Sequence, residues 1–273
     1  MHFPVSGVEA NPLFLLLAAF VISLLTVPAG VSGAFLLLPF QVSVLGFTSP
    51  AVSPTNLIYN VVATPGGVYR YLRERRVVWV LALLVALGAL PGVFIGAVLR
   101  ITYFSDPGRF KAFVGLVLLY LGARLLYETL GRVLGEKTGR SLRETAASRR
   151  PGVGEEVRTV EVSWRRIGYG FGDEDYSLGT VPVFLLSLVV GGIGGIYSIG
   201  GGSIIAPFLV VVFGLPVYTV AGAALVGTFV TSVAGVAFFQ LLAETGLGSQ
   251  SMVAPDWLLG LVLGVGGLAG SYV

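Results

Sequence analysis

Charge is scarce in this chain. Only 11% of its 273 residues are charged, against about 25% in a typical soluble domain. Residues 10–69, 60 in a row, carry no charge, and residues 176–243 add 68 more. A soluble core does not need such runs. A bilayer does, because a charge at its centre costs several kcal/mol. Cysteine is absent, which excludes disulfides, thiolate metal sites and cysteine catalysis. The one histidine is His2, too close to the terminus to build a catalytic centre around. No basic segment precedes the first apolar run, so nothing resembles a cleavable signal peptide. The hydrophobic runs also lack Asp, Glu, Lys and His. That removes an obvious proton relay, and no coupling ion, metal or cofactor is assigned.

What is present is hydrophobic. Mean hydropathy is +0.89 and 55% of residues are hydrophobic. Crossing the hydrocarbon core takes about 20 apolar residues. Residues 12–46 exceed that and would make one straight helix roughly 50 Å long. Pro28, Gly30, Ser32 and Gly33 supply a break in its middle. Helices are predicted over 52–71, 77–99 and 108–130. In the third apolar segment Gly88, Gly92 and Gly96 lie four apart on one face, which allows another helix to approach closely. Residues 180–213 form a second overlong segment, expected to be interrupted at Gly191, Gly192, Gly194, Gly195 and Gly200–Gly202. A helix over 217–243 follows, then one from 256 to the end.

Residues 131–179 differ from the rest, holding 17 of the 31 charged residues. Their second part, 157–178, reads as a small β-hairpin with a turn at Gly172–Asp173. The net charge is +3 and the pI about 9.3, but the bases sit beside hydrophobic segments. They therefore read as orientation signals rather than as a nucleic-acid surface. The loop 70–76, with four arginines, and the insert 131–179 are both expected in the cytoplasm.

The two halves are related. A shift of 168 residues lays Pro39-Phe40 on Pro207-Phe208, Gly46 on Gly214, Leu57 on Leu225 and Gly67 on Gly235, without a gap. With six inserted residues, Gly92 and Gly96 fall on Gly266 and Gly270. The expected organisation is a first transmembrane repeat over 1–130, the insert over 131–179 and a second repeat over 180–273. The second repeat has no counterpart to 108–130, so the sequence is expected to be truncated. The fold class expected is an all-α integral membrane protein of two related multi-helix repeats with glycine-broken helices, plus a small cytoplasmic β-hairpin.

Duplicated halves with breaks at matching positions point to a transport site. Non-helical backbone at membrane depth is tolerated where it lines a cavity or is buried in protein. Segments 28–34 and 196–203 are therefore expected to face each other, although glycines that only permit tight packing are an alternative. The groups available there are neutral: Ser32, Gln41, Ser53, Thr55, Asn56, Tyr59, Asn60 and Thr64 in the first half, and Ser198, Ser203, Thr228, Thr231, Ser232 and Gln240 in the second. The site residues expected are Ser32, Gly33, Asn56, Asn60, Thr64, Gly200, Gly201, Gly202, Ser203, Thr228 and Ser232. Asn60 matches Thr228 and Thr64 matches Ser232 in the repeat. Asn56, Asn60 and Thr64 share one helix face. A glycine-rich helix start suits an anion, through unpaired N–H groups and the positive dipole end. No GxxxxGK[ST] or GxGxxG pattern follows a predicted strand, so nucleotide binding is rejected.

The stretches GIYSIGGGSIIAPFLVVVFGLP at 195–216 and AGAALVGTFVTSVAG at 221–235 resemble the TauE/SafE family of sulfite exporters. GVSGAFLLLPF at 30–40 and SPTNLIYNVVATPGG at 53–67 are similar to that family's first repeat. The resemblance implies a multi-pass protein of the plasma membrane that moves sulfite, sulfonates or related organic anions, most simply outward. It points by position to Gly200, Gly201, Gly202, Asn56, Asn60, Thr228 and Ser232. The partners expected are a small anion and the lipid bilayer, with a homo-oligomer compatible. An enzyme is not expected, since only hydroxyls and amides are on offer in the membrane. The alternative function is a non-transporting membrane anchor or sensor acting through 131–179.

Overall fold

The computed structural model describes residues 1–27, 31–133, 157–163, 165–171, 174–246 and 253–272. Its helices are α1 (Pro12–Thr26), α2 (Ala34–Ser43), α3 (Val52–Arg73), α4 (Trp79–Thr102) and α5 (Pro107–Val133). Three strands follow: β1 (Val157–Val162), β2 (Arg166–Phe171) and β3 (Glu174–Gly179). The chain then forms α6 (Thr180–Tyr197), α7 (Gly201–Phe213), α8 (Val217–Glu244) and α9 (Trp257–Tyr272). Three of these segments are long and apolar enough to cross a membrane: Trp79–Thr102, Thr180–Tyr197 and Thr219–Glu244.

Local chemistry fixes the helix starts. Asn11 accepts from Leu13 N at 2.9 Å and Pro12 opens α1, the usual cap followed by a residue that needs no N–H. At α9 the cap is Asp256, whose Oδ1 accepts from Leu259 N at 3.0 Å. The other carboxylate oxygen accepts from Ser6 N and Ser6 Oγ, at 3.0 and 2.8 Å. The N-terminal hairpin, closed by the His2–Glu9 bridge, is thereby tied to α9.

Both overlong segments turn back. Phe14, in the first turn of α1, packs on Phe40 near the end of α2, with ring centroids 5.8 Å apart. In the second half, α6 begins directly after β3. Past the end of α7, Thr219 in the first turn of α8 receives the Tyr169 phenol of β2 at 2.9 Å. Thus α6–α7 returns to the end of the bundle from which it set out. The four glycines Gly191, Gly192, Gly194 and Gly195 do not interrupt α6, contrary to expectation. Their helical conformation is held by α4: a Cβ on Gly195 would overlap the Val93 backbone, and one on Gly92 or Gly96 would run into the Leu188 or Gly192 carbonyl. Glycine on both helices lets the backbones touch. The break falls later, at Ser198–Gly200. The expected break at Pro28 and Gly30 lies outside the described residues, though α1 has ended by Thr26 and α2 begins at Ala34.

Helix pairing between the halves is reciprocal. Gly88 and Gly92 of α4 face the Phe184 and Leu188 carbonyls of α6. Gly266 and Gly270 of α9 face the Leu16 and Phe20 carbonyls of α1. Phe184 and Leu188 are Leu16 and Phe20 shifted by 168 residues. The carbonyls that face Gly88 and Gly92 thus lie 168 residues after those that face Gly266 and Gly270.

The insert is a three-stranded antiparallel sheet in the order β1-β2-β3, one strand more than the expected hairpin. Val157 pairs with Phe171 and Arg166 with Gly179, with a bulge between Thr159 and Glu161. The expected turn at Gly172–Asp173 and the basic stretch 134–150 lie outside the described residues. Ile167, Tyr169, Phe171 and Leu178 are buried, so the sheet is packed rather than tethered.

Candidate functional site

The site is built on α3. Asn56 Nδ2 donates to two carbonyl oxygens, Ala34 O at 3.2 Å and Ser198 O at 2.9 Å. Its Oδ1 accepts from Gln41 Nε2 at 3.0 Å. One turn on, Asn60 Nδ2 donates to Ile199 O at 3.0 Å, while its Oδ1 accepts from Ser32 Oγ. Ser32 Oγ also accepts from Ala34 N at 3.2 Å. Tyr197 Oη donates to Phe35 O at 3.1 Å. The described part of the first break and the second break are thus laced together through two asparagines of one helix. A buried carbonyl outside a helix ladder needs a donor, and Asn56 and Asn60 provide one each, to Ser198 O and Ile199 O.

The second break has its own geometry. Ser198 adopts φ +62 and Gly200 φ +76 with ψ 144. The latter conformation is essentially confined to glycine. Gly201 N donates to Thr231 Oγ1 at 3.0 Å, while no side chain caps α7 at Gly200. A Cβ on Gly202 would overlap Ala224 O, and one on Gly200 would come within 2.8 Å of Ser232 Oγ. The start of α7 therefore lies directly on α8. Gly33 is pressed in the same way against Tyr59, whose Oη shares a 2.5 Å hydrogen bond with Ser23 Oγ.

Of the residues expected from the sequence, Ser32, Asn56, Asn60, Thr64, Thr228 and Ser232 are all buried. Ser32, Asn56 and Asn60 hold backbone or one another. Thr228 Oγ1 donates to Ala224 O at 2.9 Å within its own helix. Gly200 to Ser203 form the break and first turn of α7. Thr64 Oγ1 and Ser232 Oγ stand apart, since neither has a hydrogen-bond partner. These two positions are separated by 168 residues, as Asn60 and Thr228 are. A buried hydroxyl left unpaired costs about 1–3 kcal/mol, so two of them call for an explanation.

A family model described as Sulfite exporter TauE/SafE matches residues 15–273, nearly the whole chain. The chain belongs to the TauE/SafE sulfite exporter family. It is a family of transporters rather than enzymes, described as sulfite exporters. No curated protein matches the chain, and no solved structure does. Within this TauE/SafE member, the described residues contain no group of three or more His, Cys, Asp or Glu able to hold a metal ion.

Sequence reasoning named Gln41 and Thr231 among the neutral groups but left them out of the site, and it missed Arg100. Gln41 joins the Asn56 network and keeps an unpaired Oε1. Thr231 holds Gly201 N. Arg100 lies fully buried in the last turn of α4, which corrects the expectation that only backbone, hydroxyl and amide groups are available inside the bundle. A signal for it was present: Gly88, Gly92, Gly96 and Arg100 continue one four-residue spacing, so Arg100 is on the packed face of α4.

Proposed function

We propose that this TauE/SafE member exports small sulfur-containing or organic anions of the sulfite and sulfonate class, at a site where the two broken helical hairpins meet. The observation that carries the reading is the pair of unpartnered buried hydroxyls, Thr64 Oγ1 and Ser232 Oγ, one turn beyond Asn60 and Thr228. An oxyanion accepts hydrogen bonds from hydroxyls and from N–H groups at a helix start. The start of α7 beside Ser232 offers the second kind beyond Gly201, whose own N–H is held by Thr231. In this reading Asn56 and Asn60 position the breaks, and Ser32, Gly33, Gly200, Gly201, Gly202 and Ser203 shape the wall.

The reading includes a duplicated architecture, with repeats over 1–130 and 180–273 around the insert 131–179. Support comes from the reciprocal glycine contacts of α4 on α6 and α9 on α1, and from hairpins α1–α2 and α6–α7 that start from opposite ends. Opposite hairpins meeting at their tips suit alternating access about one site. Residues 70–76 and 131–179 are placed in the cytoplasm, with the chain in the plasma membrane. In support, Gly222 of α8 would bring a Cβ to 3.3 Å from Tyr71 and 3.4 Å from Arg76 O, while Tyr169 of the sheet meets Thr219 on the same helix. Residues 70–76 and the sheet therefore lie at one end of the bundle, which fits a shared cytoplasmic side under the positive-inside rule.

The test is flux of sulfite and of a sulfonate such as taurine from loaded proteoliposomes. Saturable flux of either is expected. Absence of flux for every small anion tried, together with capture of a partner by the 131–179 segment in the full chain, would favour the anchor or sensor instead.

A further inference from the structure

Arg100 is the one fully buried charged side chain in the described part of α4, and no ion pair with it is found among the described residues. Nε donates to Ser53 Oγ at 2.9 Å and Nη1 donates to the Phe104 carbonyl. The Phe110 ring lies over the guanidinium, 3.7 Å from Cζ to the ring centroid. Nη2 has no hydrogen-bond partner, and among the described residues no carboxylate pairs with Arg100. A guanidinium stays charged at any physiological pH, and a buried charge without a partner is strongly unfavourable. A cation–π contact and neutral acceptors offset only part of that cost.

The free donors have a direction. Nη2 carries two N–H groups. Ser53 Oγ accepts from Arg100 and keeps its own O–H to donate. Three donors from two neighbouring groups match an anion with two or more oxygens better than a spherical halide. Ser53 is also the first member of a polar stripe on α3, followed by Asn56, Asn60 and Thr64 at spacings of three, four and four, which place all of them on one helix face. Arg100 therefore sits at one end of the row of polar side chains that leads to the unpaired Thr64 hydroxyl.

We propose that Arg100 and Ser53 form a second oxyanion site, at the end of the bundle away from the basic loops, through which the transported anion passes between that end and the hydroxyl site. The inference rests on the transport reading for its role but not for its binding chemistry. It explains why an arginine can be kept among Phe104, Phe110 and Ser53: the transported anion supplies the charge that the protein does not.

The experiment is equilibrium binding of radiolabelled sulfite to the detergent-purified full chain. Arg100→Met is expected to weaken binding at this site about tenfold or more. Arg100→Lys should lose less, keeping the charge but not the fork, and Ser53→Ala should weaken binding several-fold. Unlabelled sulfite and acetate should compete, and chloride should not. Unchanged affinity in Arg100→Met overturns the inference. Should that variant not fold, unchanged affinity in both Arg100→Lys and Ser53→Ala overturns it instead. Chloride competing as well as sulfite overturns the oxyanion assignment. If Arg100→Met binds normally while Thr64→Val with Ser232→Ala does not, this inference falls and the transport reading stands. If Arg100-dependent binding persists in a protein that carries no flux, the reverse holds.

Discussion

Asn60 on α3 donates from Nδ2 to the carbonyl oxygen of Ile199 at 3.0 Å, joining the first half of the chain to the break in the second. The bond crosses 139 residues of sequence. With the Asn56 bond to Ser198 O it makes α3 the clasp for a segment whose own backbone cannot continue a helix. Asn60→Ala removes the bonds from Asn60 to the Ile199 carbonyl and from the Ser32 hydroxyl to Asn60. The expected loss of stability is about 1–2 kcal/mol, measured by denaturant or thermal unfolding in detergent. Asn56→Ala should cost at least as much, because three bonds end on that side chain.

Glycines at the α4–α6 contact and on α5 should behave oppositely. A Cβ on Gly92 would enter the Leu188 carbonyl, whereas Gly115 on α5 has nothing within 4 Å. Gly92→Ala is expected to destabilise by about 1–3 kcal/mol through overpacking. Gly115→Ala should be neutral or stabilise by up to about 1 kcal/mol through helix propensity. Equal melting temperatures for the two variants would contradict the packing described.

Thr64 and Ser232 make a sharper case, because their hydroxyl groups bond nothing in the protein. Thr64→Val with Ser232→Ala removes two unpaired polar groups and no internal hydrogen bond. The double variant should therefore be as stable as the parent or more so. A loss above about 1 kcal/mol would mean that these hydroxyls have structural partners after all.

Tyr169 links the sheet to α8. Thr219 Oγ1 donates to Pro216 O at 3.0 Å, so the phenol donates to Thr219. Burial raises the Tyr169 pKa above its ordinary value of 10.0, with the Thr219 bond acting in the other direction. The sign follows from the raised pKa: below pH 10 the phenol is neutral in both states and its contribution is intact. Above pH 10 only the unfolded state ionises readily, so stability falls with rising pH. Docking of the sheet, followed by limited proteolysis between β3 and α6, should weaken above pH 10 in the parent and lose part of that dependence in Tyr169→Phe.

The sequence made much of this legible, for identifiable reasons. Uncharged runs marked the helices because a bilayer leaves few other readings, and the offset of 168 drew attention to Thr64 and Ser232 together. Gly191–Gly195 could not be placed from local propensity. Glycine loosens a lone helix, yet here α4 meets those residues with glycines of its own and keeps them helical. Arg100 was hidden for a similar reason. At the end of an apolar run an arginine looks like a residue facing water, and only the arrival of Ser53 and Phe110 from α3 and α5 buries it. Asn56 and Asn60 were found by their spacing, but that they bond the backbone of both breaks depends on contacts across more than 130 residues.

The central claim is that the unpaired hydroxyls of Thr64 and Ser232 hold the transported anion. The direct measurement is initial sulfite flux in proteoliposomes for the parent and for Thr64→Val with Ser232→Ala, at matched protein density and after matched stability has been verified. Flux in the double variant is predicted to fall about tenfold or more, the consequence of losing two hydrogen bonds of roughly 1 kcal/mol each to the anion. Flux equal to the parent's from an equally stable double variant would contradict the account.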